Sequence, residues 1–244
     1  MNNNLSELIW SRKLELLDII CQKTNNTVIQ GPFKNMKILK KFSWGDGDTS
    51  GKLLGLYESE LHQYIEQALN NNPDVFVNIG CAEGFYGIGL ALRNPNVTSA
   101  LFDINDQAIS IARENAYINN VHNIQFNSNC SIDNIKSYLV NKNHPLIIID
   151  IEGHENTLLN PNIIPELLNS SIIVESHDCI IPNTTQNIIN QFKFTHNIYQ
   201  ISQGPKNPYI DIIHDLPDID KMILCMEFRP STMSWLYMVP NYYK

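Results

Sequence analysis

Three small residues at every second position, Gly80, Ala82 and Gly84, form the most informative cluster in the sequence. They follow an apolar run at residues 75–79 and precede a helical pattern that begins at Phe85, so they occupy a strand-to-helix turn. Small residues at such a turn let the backbone bend sharply and approach a ligand. Their spacing departs from the G-x-G-x-x-G pattern of dinucleotide-binding turns, so NAD fits this loop poorly.

An acidic residue, Asp103, stands about twenty residues after the glycine loop, at the end of the next apolar run. A carboxylate in this position can accept hydrogen bonds from both hydroxyls of a ribose. The alternative is that Asp103 caps the following helix, where Asn105 and Asp106 are also suitable capping residues. The spacing of about twenty residues between the glycine loop and Asp103 favours the role in ribose binding over helix capping.

Six ionisable side chains follow two further apolar strands, predicted at residues 146–149 and 172–174. Open α/β sheets bind their ligands at the carboxyl ends of the strands, where these groups lie. So many ionisable groups at one edge indicate a functional site rather than a core. The six residues are Asp150, Glu152, His154, Glu175, His177 and Asp178.

Two sequence blocks carry a family resemblance. The segment from Val77 to Gly84, followed by Phe102-Asp103, resembles motif I and the acidic second-strand residue of class I S-adenosylmethionine-dependent methyltransferases. The segment from Ile148 to Glu155 is similar to the D-x-E-G-x-E signature of FkbM-type methyltransferases, and residues 173–177 resemble the block that follows it. The similarity covers roughly residues 57–194. It implies a Rossmann-like fold and S-adenosylmethionine as the cofactor.

The resemblance also suggests which residues bind the cofactor. Asn78 stands where motif I usually has an acid, so the ammonium of the methionine part would meet a neutral amide. Ala82 replaces the middle glycine, which requires that it keep a negative φ. Asn129 is a candidate for the adenine edge or a simple turn residue. The full predicted set is Asn78, Gly80, Cys81, Ala82, Gly84, Tyr86, Asp103 and Asn129.

Methyl transfer needs a bound cofactor, exclusion of water and an aligned acceptor atom, with a base when the acceptor is a hydroxyl. His154 or His177 can take the acceptor proton because an imidazole titrates near neutral pH, and Asp150 can orient the base or the acceptor. Either histidine alone can equally be a surface or supporting residue. A second mechanism would use Asp150, Glu175 and Asp178 as oxygen ligands of Mg²⁺.

The elements that position these residues follow from the alternation of short apolar runs with helical patterns, which is typical of βαβ units. A helix is predicted at residues 5–21 and another at 57–69, with an irregular Gly/Pro-rich stretch between them. In that stretch Asp46 and Asp48 suggest a calcium loop, but no Glu follows at the required position. The predicted strands lie at 75–79, 98–102, 124–126, 146–149, 172–174, near 194–201 and near 235–239. The later helices are predicted at 85–92, 106–119, 132–140 and 155–159.

Composition narrows the class of protein. The 244 residues carry 17 Lys+Arg against 25 Asp+Glu, a net charge of −8, so binding to nucleic acid is disfavoured. No apolar stretch approaches the roughly 20 residues of a membrane span, and the first 20 residues interleave charges with apolar side chains rather than forming a signal-peptide core. Five scattered cysteines form no C-x-x-C pair. A cytoplasmic protein is expected, and a homo-oligomer remains open.

The sequence therefore predicts an α/β protein with a Rossmann-like class I methyltransferase fold, a mostly parallel seven-stranded sheet and flanking helices. Residues 1–72 are expected to form a helical and loop cap that shapes the acceptor site. Residues 73–244 are expected to form the catalytic domain, with an insertion at about 202–232. The expected reaction is O-methylation of a carbohydrate or similar polar metabolite, such as a surface-glycan precursor. The alternatives are N-methylation of an amino acid or protein, or a non-catalytic cofactor-binding subunit.

Overall fold

The computed structural model describes residues 3–242. A seven-stranded sheet runs through the molecule in the order β3-β2-β1-β4-β5-β7-β6. The strands are β1 (Val75–Ile79), β2 (Thr98–Phe102), β3 (Ile124–Asn127), β4 (Pro145–Ile149), β5 (Ser171–Ser176), β6 (His196–Ser202) and β7 (Ser234–Pro240). The first five pair in parallel, and β7 inserts antiparallel between β5 and β6. This confirms the predicted Rossmann-like class I methyltransferase fold.

Nine α-helices are formed by the described residues and flank the sheet. They are α1 (Asn3–Thr24), α2 (Thr49–Leu54), α3 (His62–Asn70), α4 (Phe85–Arg93), α5 (Asp106–Ile118), α6 (Ile132–Leu139), α7 (Glu155–Leu158), α8 (Thr184–Phe192) and α9 (Asp218–Leu224). Asn105 caps α5, because its side chain accepts hydrogen bonds from the N–H groups of Gln107 and Ala108. Ser131 caps α6 in the same way.

The central strands read as continuous apolar runs because both faces of the sheet are covered. All five residues of β1 and of β4 are buried. One face packs against the cap, where Leu16, Leu17 and Leu53 belong to the same apolar cluster as the core of the sheet. The other face packs against α6 and α8. The cap thus shares a continuous core with the sheet.

Local details differ from the sequence expectations, and two helices, α2 and α8, form where none was predicted. The helix predicted from residue 57 begins as a 3-10 turn at Ser59, because Glu58 has a left-handed φ of 43°. The sixth strand starts at His196 rather than Phe194, whose side chain is 83% exposed. The insertion contains α9, which is fastened to α1 by Arg12 and Asp220.

The order of strands reverses between β1 and β4, and the site forms at this switch point. The two strands run in register, so the chain leaves both at the same edge of the sheet. A Cβ on Gly80 would lie 1.6 Å from the carbonyl oxygen of Asp150. Only glycine fits at position 80, because any side chain would separate the two strand ends.

Candidate active site

The glycine loop follows β1 and adopts the left-handed backbone that its composition permits. Gly80 has a φ of 75° and Gly84 a φ of 86°. Ala82 also lies in the left-handed region, with a φ of 44°, so the expectation of a negative φ at this residue is wrong. The Ala82 N–H donates to Oδ2 of Asp103 over 2.8 Å, and this bond holds the loop in the strained conformation.

Asp103 lies at the end of β2, as the sequence predicts, and its carboxylate organises the surrounding backbone. Besides the bond to Ala82, its Oδ1 accepts the N–H of Asn105 over 2.9 Å. It does not cap α5, because Asn105 takes that role. Asp103 also lines the wall between two neighbouring cavities, which are described below. In this position its carboxylate can accept hydrogen bonds from the ribose of a nucleoside cofactor.

The two cavities meet at Gly80, Asp103, Asp150 and Glu152. The larger, of about 610 Å³, is here called the apolar cavity because it is lined mainly by apolar groups, among them Ile79, Phe102, Ile104, Ile132 and Leu158. The smaller, of about 370 Å³, is called the charged cavity and is lined by ionisable groups that include Asp48, Lys52, Glu175, His177, Glu227 and Arg229. An apolar pocket that opens into a charged one suits a nucleoside beside a polar reactant.

The predicted cofactor residues divide between these cavities. Asn129 lines the apolar cavity. Asn78, Cys81, Ala82 and Tyr86 line the charged cavity, and Gly80 and Asp103 line both, while Gly84 starts α4 without lining either. The Asn78 side chain is already engaged, because its Oδ1 accepts the N–H of Gly87 over 3.1 Å. Tyr86 is partly buried and its hydroxyl donates to Glu58.

His177 is held so that one ring nitrogen faces the charged cavity. Its Nδ1 lies 2.7 Å from Oε1 of Glu155, which has no exposed surface and also accepts the N–H of Gly153. A carboxylate accepts this bond, so Nδ1 carries the proton and Nε2 of the neutral ring is the free base. Burial opposes protonation, but the bond to Glu155 and the charges of Asp150 and Glu152 outweigh it and raise the pKa of His177.

His154 has a different position. It is exposed, precedes α7 and lines the apolar cavity, so it does not face the charged cavity with His177. The two histidines, which the sequence treats as equal candidates for the base, are therefore separated by the structure. Of the two, His177 has the buried carboxylate partner and the access to the charged cavity.

Arg229, from the segment between α9 and β7, supplies positive charge to a group of carboxylates. It pairs with Glu58 of the cap, with Glu175 of β5 and, over 2.8 Å, with Glu227. Even so, burial and repulsion by Glu58 raise the pKa of Glu175 to about 10. The same two causes, in the same order, raise the pKa of Asp150 to about 7. The charged cavity is thus short of positive charge.

The predicted metal ligands are only partly brought together. Ligand atoms of Asp150, Glu175 and His177 lie within 4.8 Å of one another. Asp178 lies outside this group, because its carboxylate accepts hydrogen bonds from the backbone and hydroxyl of Thr185 at the start of α8. The sequence places Asp178 one residue beyond His177, but the chain turns there towards α8.

Sequence reasoning missed several charged residues of the site. Glu155 closes the D-x-E-G-x-E block, so the signal for it was present in the motif. Asp48 was considered only as part of a calcium loop; instead it and Asp46 pair with the buried Lys13 over 3.1 and 3.2 Å. Lys52 and Arg229 carry no local signal, because each reaches the cavity from a distant part of the chain.

The residues present fit S-adenosylmethionine. The glycine at position 80 lets the two strand ends approach each other closely, and Asp103 and the apolar cavity lie beside it. Oδ1 of Asp150, buried where the cavities meet, has no hydrogen-bond partner among residues 3–242. The fold and the site together are those of a class I S-adenosylmethionine-dependent methyltransferase.

Comparison with known families agrees with this class. A family model described as a methyltransferase domain matches residues 71–205, just over half of the chain. The chain belongs to this methyltransferase family. The match begins in the turn before β1 and ends just after β6, so it contains the glycine loop, Asp103 and His177.

Solved structures with related folds have low sequence identity. The bifunctional kinase-methyltransferase WbdD is 17% identical with a TM-score of 0.47; the match covers 77% of this chain and 39% of that one. An O-methyltransferase from Bacillus cereus in complex with SAH is 15% identical, with a TM-score of 0.45 and coverage of 75% and 80%. An rRNA methylase from Streptococcus thermophilus is 9% identical, with a TM-score of 0.48 and coverage of 74% and 96%. None of the helices within residues 3–242 is long and apolar enough to cross a membrane.

Proposed function

We propose that the protein transfers a methyl group from S-adenosylmethionine to a hydroxyl group of a carbohydrate or similarly polar small metabolite, such as a surface-glycan precursor. When bound, this cofactor supplies a methyl group already activated on a sulfonium. The carbohydrate class is suggested by the resemblance of the segment from Ile148 to Glu155 to the FkbM signature. The acceptor would occupy the charged cavity, and the adenosine the apolar cavity.

The observation that carries this proposal is the pair formed by Glu155 and His177, whose imidazole lines the charged cavity. A hydroxyl must lose its proton as it is methylated, and His177 Nε2, which faces the charged cavity, can accept that proton when the imidazole is neutral. Glu155 fixes the tautomer and stabilises the imidazolium that forms. Asp150, at the shared wall, is the residue that we expect to orient the acceptor.

Residues 1–72 contribute to the same cavity, which supports their proposed role as a cap that shapes the acceptor site. Trp44, Asp48, Lys52 and Tyr57 all line the charged cavity. Tyr57 and Glu58 approach Arg229 from the cap side. The acceptor would then be enclosed between the cap and the carboxyl edge of the sheet, which would exclude water.

We propose that the reaction proceeds without Mg²⁺. Asp150, Glu175 and His177 are close enough to share an ion, but the Arg229 guanidinium is already in contact with the Glu175 carboxyl group. A divalent ion there would be repelled by that guanidinium and would occupy the nitrogen that we assign as the base.

N-methylation is a second candidate, favoured by the acidic wall of the charged cavity. Burial, followed by repulsion from Glu58, raises the pKa values of Asp150 and Glu175, and an ammonium group bound beside them would relieve that repulsion. An amine acceptor needs a carboxylate to position it more than it needs a base. Replacement of His177 would then have little effect on turnover.

The test begins with calorimetric titration of the purified protein with S-adenosylhomocysteine (SAH), which needs no acceptor. Micromolar binding supports the cofactor site, and its absence would count against the proposed methyltransferase activity. Transfer of a labelled methyl group to a panel of sugars, nucleotide sugars and amines then identifies the acceptor. We expect His177→Gln to retain SAH binding and to lower kcat by about 10²- to 10⁴-fold on a hydroxyl acceptor. His122→Gln, at an exposed position that lines neither cavity, is the matched control and should leave turnover unchanged.

A further inference from the structure

Lys52 is a buried lysine whose ammonium lacks a hydrogen-bond partner in the described part of the chain. It is 5% exposed and lines the charged cavity. Its Nζ lies 4.9 Å from the ring centre of Tyr57 and 5.7 Å from those of Trp44 and Phe85. Oε2 of Glu83 is 3.9 Å away, too far for a hydrogen bond. A desolvated ammonium held this way is costly unless a ligand completes its bonding.

The start of α4 offers a second positive feature in the same cavity. Phe85 and Tyr86, in its first turn, line the charged cavity together with Lys52. The first N–H groups of a helix have no intrahelical partners and carry the positive end of its dipole. Of the N–H groups in this first turn, the Asn78 side chain accepts a hydrogen bond from that of Gly87 only. The ammonium and the helix start therefore favour an anionic group between the cap and the glycine loop.

A negative group lies close to this anion site. Asp48, the residue before α2, is 5% exposed and lines the charged cavity with Lys52. Burial raises the pKa of Asp48 to about 6, against the opposing charges of Lys13 and Lys52. On the sheet side, the motif I position that usually has an acid is Asn78, whose amide oxygen is engaged. Asp48 offers a carboxylate on the cap side of this cavity, one helical turn before Lys52, whose backbone N–H donates to the Asp48 carbonyl.

A neighbouring lysine and carboxylate are complementary to an α-amino acid zwitterion. We propose that Lys52 and Asp48 bind the amino-acid end of S-adenosylmethionine, Lys52 with the start of α4 receiving the carboxylate and Asp48 receiving the ammonium. The cap then binds the cofactor as well as the acceptor. This inference rests on the proposed function, because it takes its ligand from the cofactor assigned there.

The test compares two ligands that differ in whether they carry the amino-acid end of the cofactor. SAH carries the amino acid group, and 5′-methylthioadenosine has the same adenosine and thioether without it. By calorimetry, we expect Lys52→Met to weaken SAH binding about 10- to 100-fold, as for loss of a hydrogen bond to a charged group. Binding of 5′-methylthioadenosine should stay within about twofold of the wild-type value. Lys41→Met, which removes the same charge from an exposed position of the cap, should change neither.

Two outcomes would overturn the inference. One is unchanged SAH binding by Lys52→Met, and the other is an equal loss of both ligands, which would indicate a collapsed site. If Lys52→Met does not fold, as judged by thermal unfolding, Lys52→Gln and Lys52→Arg take its place, and only the arginine variant should retain selectivity for SAH. A wild-type protein that binds neither ligand would refute the proposed function itself, whereas normal binding of both by the wild type and by Lys52→Met would refute only the role of Lys52.

Discussion

The bond between Glu155 and His177 can be tested without knowledge of the acceptor, through the variant Glu155→Gln. The two atoms are 2.7 Å apart, and the carboxylate has no exposed surface. A hydrogen bond to a charged group contributes about 1.5–3 kcal/mol to stability, so we expect the variant to lose an amount in this range. Glu152 also approaches the ring, at 3.4 Å from Nε2, but its side chain is 75% exposed. Glu152→Gln, the matched control, should cost less than about 1 kcal/mol because water screens its charge.

The loss should depend on pH in a defined direction. Folding lowers the pKa of Glu155, in spite of its burial, because His177 binds the carboxylate, so its contribution is present above the unfolded value of about 4.3 and is lost as pH falls. Folding raises the pKa of His177, so its contribution is fully present below about pH 6.5 and is lost as pH rises through the folded value. The difference between wild type and Glu155→Gln should therefore be largest between about pH 4.3 and 6.5.

The assay is urea unfolding at about pH 5.5 and again at about pH 9, with the free energy of unfolding compared for the wild type and both variants. An NMR titration of the imidazoles gives the second readout, in which Glu155→Gln should lower the pKa of His177. With a hydroxyl acceptor, the acid limb of the activity profile should move to lower pH, because the base works in its neutral form. An unchanged pKa of His177, or a stability loss equal at both pH values, would refute the assigned pair.

Four other outcomes follow from the structure. Gly80→Ala should abolish SAH binding measured by calorimetry, since its Cβ would lie 1.6 Å from the carbonyl oxygen of Asp150, whereas Gly51→Ala, whose Cβ meets nothing closer than 3.6 Å, should bind normally. Ala82→Gly should raise the free energy of urea unfolding by about 0.5–1 kcal/mol, because glycine accepts a positive φ; a loss would show that the loop is not strained. Lys13→Met should lower that free energy by about 3–5 kcal/mol by leaving two buried carboxylates unpaired, while Lys40→Met, which breaks an exposed pair, should change it by less than about 1 kcal/mol. Methyl transfer should survive EDTA and gain nothing from added Mg²⁺; loss with EDTA and recovery with Mg²⁺ would contradict the metal-free reaction.

The parts of the site that could be predicted from sequence lie next to strand ends. The run at residues 75–79 predicts a buried strand, and small residues directly after it predict a turn, whatever the rest of the chain does. Asp103 and His177 follow their strands in the same way. Because parallel strands end at one edge of the sheet, local patterns were enough to bring these groups to a common site.

The parts that could not be predicted depend on contacts between distant segments. Arg229 meets Glu58 and Glu175 across intervals of 171 and 54 residues. Lys52 reaches the cavity because the cap folds over the sheet edge. Asp178 and His177 are neighbours in sequence, but the turn into α8 separates their side chains. No spacing rule describes such contacts.

The sequence by itself determined the α/β class, the glycine loop and the acidic residue of β2, because these follow from hydropathy period and local backbone freedom. Only the tertiary structure decided which histidine faces the charged cavity, which carboxylate holds it, and which cations the cap and the segment before β7 supply. The physical reason is that side-chain pairing is set by packing between elements far apart in the chain. Strand formation and turn chemistry depend mainly on neighbouring residues.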